Sequence, residues 1–446
     1  MTGPIVAIVG RTNVGKSTLL NRLAGRRIAV VADLPGTTRD RVFAFVSWQG
    51  RELTVVDTGG WQTRPQGSLE QKVKQQVEAA VAEADVIIFL VDVKDGVIAA
   101  DEEIADVLRA ANKSVVLAAN KVDSVKQTNQ VADFHRLGMG EPIPISAHHN
   151  RGIDELMGAV LACLPPQPAN VAGQERPKLA IVGRPNVGKS TLLNALLGNE
   201  RAIVDESPGT TRDSLDAIMK WGDREILLVD TAGIKRRGRV DAGVDYYSLL
   251  RALQAINRCD VALLLVDASE FITAQDMHIA GYIIEVGKGM MVLVNKWDLV
   301  PQEQRQEFKQ GAEQSLRFAS YAPIVYVSAK LGQGINRILP QAWEIYQERQ
   351  KRLPQSEVEE LVKQAVSSYP PPRTGSRQLH IARAYQDESQ PATFVLKVND
   401  PKLVHFSYRR YLENKFRQAF GFRGVPLKLV FAKGGRRMSK RMEVGA

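Results

Sequence analysis

The stretch "GRTNVGKSTLLN" spans Gly10–Asn21, and "GRPNVGKSTLLN" spans Gly183–Asn194. Each follows an apolar run, "PIVAIVG" or "KLAIVG", and each ends in leucines. A buried strand, a glycine-rich turn and a helix are therefore predicted twice. In a GxxxxGKS turn, Gly10, Gly15, Gly183 and Gly188 let backbone N–H groups curl around phosphate oxygens without a Cβ in the way. Lys16 and Lys189 bring positive charge to the β- and γ-phosphates, and Ser17 and Ser190 offer hydroxyls to Mg²⁺. Arg11, Thr12, Asn13 and Val14 complete the first loop; Arg184, Pro185, Asn186 and Val187 complete the second. A purely structural glycine turn would have to arise by coincidence twice.

The two loops are the edge of a duplication. "PGTTRD" begins at Pro35 and again at Pro208, and "DTGG" at Asp57 matches "DTAG" at Asp230, both at an offset of 173. "NKVD" at Asn120 and "NKWD" at Asn295 lie 175 apart. "SAH" at Ser146 and "SAK" at Ser328 lie 182 apart, which places an insertion of about seven residues just before the second. Five blocks in one order, twice, mean two copies of a domain, because solenoid periods are far shorter. Apolar runs such as "VIIFLVD" and "VALLLVD" alternate with helical patterns, of which "LEQKVKQQVEAAVAEAD" (Leu69–Asp85) is the clearest. The expected fold is α/β, a mostly parallel sheet in each copy with helices on both faces. Every block follows the carboxyl end of a strand, the edge where such sheets bind ligands.

Asp57 and Asp230, at strand ends, can hold Mg²⁺ through water, with Thr58 and Thr231 beside them. Gly59 and Gly60, with Ala232 and Gly233, come next, and Gly60 and Gly233 can present an N–H to the γ-phosphate. Thr38 and Thr211 are the candidate switch threonines on Mg²⁺, with Thr37 and Thr210 as close alternatives. The NKxD blocks select the base. The carboxylates of Asp123 and Asp298 can each accept from guanine N1–H and its 2-amino group, whereas adenine would leave the charge unpaired. Asn120 and Asn295 brace the loop, Lys121 and Lys296 cover the ring, and Val122 and Trp297 sit between. Ser146 and Ser328 precede Ala147 and Ala329, whose amides can reach the guanine oxygen. Both copies are expected to bind GTP.

With these blocks in place, the chain resembles the EngA (Der) family along its whole length, through both "NVGKSTLLN" runs and "PGTTRD". The resemblance implies two P-loop GTPase domains, a C-terminal α+β KH-like domain, and GTP hydrolysis in the service of large ribosomal subunit assembly. The boundaries read as residues 1–164, a Pro/Gly-containing linker at 165–177, residues 178–350, and a basic domain at 351–446. One small departure is His148, where the second copy has Lys330.

Ras-like GTPases orient the attacking water with a glutamine just after DxxG. Here Trp61 and Ile234 stand there, and neither can bind a water in that role. Asn13 and Asn186 occupy the position where related GTPases help to bind K⁺, so potassium-stimulated hydrolysis is expected; the plainer alternative is that both asparagines brace the turn. Lys16, Thr38, Asn13 and their counterparts Lys189, Thr211 and Asn186 are the catalytic candidates. A scaffold that holds GTP with negligible hydrolysis is the competing reading, and NKxD argues against an ATPase or a nucleotide kinase. "KRRGR" (Lys235–Arg239), in the second copy alone, is either a mobile basic loop or a contact with RNA or a neighbouring domain.

From Lys351 to Ala446 there are 19 Lys/Arg against 8 Asp/Glu, while the first 350 residues sum to −1. Such asymmetry points to a polyanion, nucleic acid before membrane, and the resemblance implies that this is ribosomal RNA. The order reads helix, strand, strand, helix, strand, opened by Ser356 as an N-cap with Glu359 as its capping-box partner. "GFRG" (Gly421–Gly424) has the spacing of a KH GxxG loop but precedes a strand, so it reads as a helix cap and turn. Arg409, Arg410, Lys415 and Arg417 are candidate RNA-phosphate contacts, and Tyr408, Tyr411 and Phe416 read as core before stacking platforms. Lys433, Arg436, Arg437, Lys440 and Arg441 suggest a flexible basic tail. Cys163 and Cys259 read as buried small hydrophobes. No apolar run reaches membrane-spanning length, so a cytoplasmic protein is expected; a monomer is the separate expectation.

Overall fold

The computed structural model describes residues 4–25, 43–58, 84–111, 113–164, 176–199, 216–231, 244–374, 377–388 and 392–434. They divide between two compact units, one holding the first copy and the other the second copy with the C-terminal domain. The helix predicted over Leu69–Asp85 falls almost wholly outside the described residues.

The first unit carries β1 (Ile5–Val9), β2 (Phe43–Trp48), β3 (Arg51–Asp57), β4 (Val86–Asp92), β5 (Ser114–Asn120) and β6 (Ile143–Pro144) in the order β2-β3-β1-β4-β5-β6. Only the β2–β3 hairpin is antiparallel. Its described α-helices are α1 (Lys16–Ala24), α2 (Ala99–Ala110), α3 (Val125–Gln130) and α4 (Ile153–Ala162). The period of two along β4 explains why its run is uniformly apolar. Val86, Ile88 and Leu90 pack with Leu19, Leu23 and Leu156 on one face. Ile87, Phe89 and Val91 pack with Ile104, Leu108 and Phe134 on the other.

The second unit repeats this order with β7 (Lys178–Val182), β8 (Ala217–Trp221), β9 (Arg224–Val229), β10 (Val261–Asp267), β11 (Gly289–Asn295) and β12 (Ile324–Tyr326), arranged β8-β9-β7-β10-β11-β12. Its helices are α5 (Lys189–Asn199), α6 (Val244–Arg258), α7 (Ala274–Glu285), α8 (Arg305–Ser315) and α9 (Ile338–Gln350). The insertion inferred from the drifting offset lies where α8 stands, between NKWD and SAK. Between its NKVD and SAH blocks the first copy has α3, a 3₁₀ stretch, Val131–Leu137, and β6.

The C-terminal domain comprises α10 (Gln355–Ser368), a short hairpin of β13 (Arg373–Thr374) and β14 (Arg377–Gln378), then β15 (Ile381–Gln386), β16 (Thr393–Val398), α11 (Phe406–Phe420) and β17 (Lys428–Lys433). β16 pairs antiparallel with β15 and parallel with β17. The stretch "QLHIARAYQ" (Gln378–Gln386) is split: Gln378 belongs to the hairpin and pairing restarts at Ile381. Ser356 is not the N-cap. α10 already begins at Gln355 with Pro354 before it, so Ser356 lies inside the first turn, and Glu359 accepts from Gln355 Nε2 at 2.9 Å.

Phe394, Tyr408, Leu412, Phe416 and Phe422 share one continuous core cluster with Leu263, Met291 and Ile345 of the second copy. Tyr408 and Phe416 are thus core residues. Cys259 is buried, its thiol pushed up to about 12 by that burial, but Cys163, just past the end of α4, is exposed, against the buried reading. Among the described residues no helix is long and apolar enough to cross a membrane.

Candidate nucleotide sites and the basic domain

The loop after β1 can be built only with glycine at two points. Gly10 has φ +156°, and a Cβ there would lie 2.3 Å from the Leu90 carbonyl oxygen. Gly15 has φ +102°, and its Cβ would lie 2.4 Å from Asn120 Nδ2. Gly183 and Gly188 repeat both restrictions against Leu265 and Asn295. Asn13 and Asn186 are left-handed, φ 66° and 63°, a conformation asparagine tolerates better than most residues. That gives both asparagines a backbone reason for being there.

Asn120 is the hub that ties the distant blocks together. Its Nδ2 donates to Val14 O at 2.8 Å and its Oδ1 accepts from Ala147 N at 3.0 Å. Asn295 does the same with Val187 O at 2.9 Å and Ala329 N at 2.9 Å. The Ala147 and Ala329 amides, expected to face a guanine oxygen, are engaged by these side chains. Val14 and Val187 anchor the loops from below in the core. Val122 N donates to Ile145 O and Trp297 N to Val327 O, which fixes each NKxD turn to the strand leading into its SA block.

Lys16 Nζ donates to Gly10 O at 2.8 Å and to Arg11 O at 2.6 Å; Lys189 Nζ makes the same pair of bonds to Gly183 O and Arg184 O at the same distances. Burial disfavours both ammonium groups. It holds Lys16 below its ordinary range against the pull of Asp57, and brings Lys189 down to about 8. Ser17 Oγ donates to Asp57 Oδ2 at 2.6 Å. A hydroxyl and a carboxylate, both hard oxygen donors, thus converge beside the lysine, and this donor set suits Mg²⁺. Asp230 is left-handed, φ 60°, and its amide donates to Asp216 Oδ1 at 3.0 Å. Thr58 and Thr231 are buried, and Thr58 Oγ1 donates to Ile8 O. Thr37, Thr38, Gly59, Gly60, Trp61, Thr210, Thr211, Ala232, Gly233, Ile234 and the "KRRGR" segment lie outside the described residues.

Asp123 Oδ1 accepts from Ser146 Oγ and Oδ2 from Lys94 Nζ, both at 2.9 Å. These bonds hold its carboxyl below the ordinary carboxylate range, so it is ionised at neutral pH. Lys121 and Lys296 are left-handed and pair with Asp92 and Asp267 at the ends of β4 and β10. Asp298 lies in a 3₁₀ turn beside Trp297, whose ring centroid is 4.4 Å from that of Tyr326. The reading of the blocks missed Lys94, Asp92, Asp267 and the acids paired with Arg11 and Arg184. A signal for the aspartates existed: Asp92 and Asp267 recur at the 175-residue offset of the NKxD blocks.

Residues 5–121 and 178–296 each match the family described as "50S ribosome-binding GTPase". Residues 352–432 match "KH-domain-like of EngA bacterial GTPase enzymes, C-terminal". Over 440 residues the chain is 47% identical to GTPase Der of Chloroflexus aggregans, covering 97% of this chain and 98% of that protein. It is also 47% identical to GTPase Der of Moorella thermoacetica, covering 98% and 100%. This chain belongs to the Der (EngA) GTPase family. As a Der GTPase it binds and hydrolyses GTP, carries two P-loop GTPase domains, and has the family's KH-like domain after them.

The KH-like domain of this Der GTPase uses its arginines unevenly. Arg417 donates to Phe422 O at 3.1 Å and Val425 O at 3.0 Å, pairs with Glu413, and stacks over Tyr321 at 4.0 Å. Arg409 donates to Leu429 O and lies over Phe431. Both are candidate RNA contacts; each also donates to backbone carbonyls of its own domain, and Arg409 remains exposed. Arg410 and Lys415 lie over Phe406 and Tyr411 on their own helix. Phe406 is 68% exposed. Gly421 caps α11 with φ 87°, so "GFRG" is a cap and turn. Arg436, Arg437, Lys440 and Arg441 lie outside the described residues.

Proposed function

We propose that this protein is a GTP-driven switch in large ribosomal subunit assembly. In this reading, nucleotide state on the two G domains controls domain packing and affinity for ribosomal RNA. The observation that carries it is the asparagine hub, found twice, which ties the phosphate loop, the base-reading turn and the SA loop together and so lets guanine and phosphate be sensed as a unit. Lys16 and Lys189 draw the β- and γ-phosphates, and Asp123 and Asp298 read guanine. Ser17, Thr38 and Asp57, with Ser190, Thr211 and Asp230, hold Mg²⁺, which neutralises phosphate charge when bound. Potassium at Asn13 and Asn186 substitutes for the absent Ras-type glutamine. The domains run 1–164, 178–350 and 351–446, with 165–177 as a linker, and the protein works as a cytoplasmic monomer without a membrane partner.

Cosedimentation with ribosomal subunits in GTP, GDP and nucleotide-free states tests the switch, using the parent, Lys16→Ala and Lys189→Ala. Binding that ignores nucleotide in all three would end this reading. Equal GTPase rates in Na⁺ and K⁺ would remove its potassium part alone.

A further inference from the structure

We propose that a buried aspartate at the start of the helix after the fourth strand of each copy, Asp101 and Asp276, is a positioning residue for the phosphate-binding lysine and acts through the loop arginine. The relay runs through corresponding residues in both copies, and only in the second is every link a hydrogen bond. Asp276 lies in the first turn of α7 and is fully buried; its Oδ2 accepts from Thr273 N at 3.0 Å and Thr273 Oγ1 at 2.8 Å. Its other oxygen, Oδ1, accepts from Arg184 Nε at 3.0 Å, while Glu270 takes Arg184 Nη1 at 2.8 Å. The backbone carbonyl of Arg184 then accepts from Lys189 Nζ. In the first copy Asp101 Oδ2 caps Ile98 N, Arg11 pairs with Asp95 at 2.6 Å, and Arg11 O accepts from Lys16 Nζ.

The physical reason is the cost of a loose end. A buried carboxylate must be paired, and an arginine fork held by two acids fixes its own backbone. The arginine side chains are 16% and 13% exposed, so little solvent competes. The carbonyl that steadies the lysine is thereby tied to a helix outside the phosphate loop. A lysine fixed beforehand loses less freedom when phosphate arrives. The link is tighter in the second copy: Arg11 Nε stands 3.5 Å from Asp101 Oδ1 with neither atom hydrogen-bonded, against 3.0 Å for Arg184 and Asp276.

This rests on the reading of the loop as a GTP site, and the test separates the two. In full-length protein with the first site silenced by Lys16→Ala, GTP, GDP and GMP would be competed against a fluorescent GDP analogue. Arg184→Ala and Asp276→Asn are each expected to weaken GTP and GDP about tenfold and leave GMP unchanged, because the lysine serves only the outer phosphates. The double variant is expected to match either single one, and Arg184→Lys to recover part of the loss. Glu270→Gln, at an exposed acid, keeps the test alive if Asp276→Asn does not fold, with a smaller loss of the same kind. If the Lys16→Ala protein binds no GTP, the site reading fails. If it binds and Arg184→Ala binds equally, or if GMP weakens in parallel, the positioning role is overturned.

Discussion

The Met290 amide donates to the Gly424 carbonyl at 2.7 Å, and the Gly424 amide donates to Tyr321 O at 2.8 Å. One residue of the KH-like domain is therefore stitched into the backbone of the second G domain at the start of β11. Gly424 has φ +73°, and a Cβ there would lie 2.5 Å from Ile345 Cγ1. Gly424→Ala should destabilise the second unit by about 2 kcal/mol through strain and overpacking. Urea unfolding followed by tryptophan fluorescence would show an earlier transition; an unchanged midpoint would mean that this junction carries no strain.

Arg417 and Arg410 should part company although both are helical arginines. Arg417→Ala strands two carbonyls and removes a cation from Tyr321, for a loss of about 2–3 kcal/mol. Arg410→Ala should leave stability within about 0.5 kcal/mol and weaken RNA binding. That binding is expected to show a shallower dependence on salt, by about one unit of log–log slope. Thermal melts and RNA titrations at several salt concentrations distinguish the two roles, and equal melting losses would refute the division.

Asp298→Asn should convert the second site from guanine to xanthine. An amide presents one donor and one acceptor where the carboxylate presents two acceptors, and xanthine carries a carbonyl where guanine carries its 2-amino group. GTP affinity is expected to fall about a hundredfold while XTP gains, read by competition in the Lys16→Ala protein. Loss of both nucleotides would instead indicate a collapsed turn.

Lys189 gives the second site a pH dependence. Burial lowers its pKa from 10.5 to about 8, so the unliganded lysine loses its proton as pH rises through 8, and a neutral amine no longer attracts phosphate. GTP affinity at that site should hold steady below pH 7.5 and fall toward tenfold per pH unit above 8.5. A flat titration from pH 7 to 9.5 would show that the proton stays on.

Gly10, Gly15 and the asparagines as braces of the NKxD turn were legible in the chain, because a left-handed loop and a guanine-reading turn demand particular residue types at fixed short spacings; the bonds by which Asn120 joins Val14 to Ala147 were not. The two sheets were legible because strands covered on both faces must be apolar throughout. Those requirements are local, and the duplication states them twice. What only the tertiary structure decided was partnership over distance. Arg184 meets Asp276 across 92 residues of sequence, and Arg417 turns inward to carbonyls while Arg410 lies over an exposed ring on its own helix. A charge in a sequence looks the same whether it faces solvent or neutralises a buried acid, and only the packed backbone determines which.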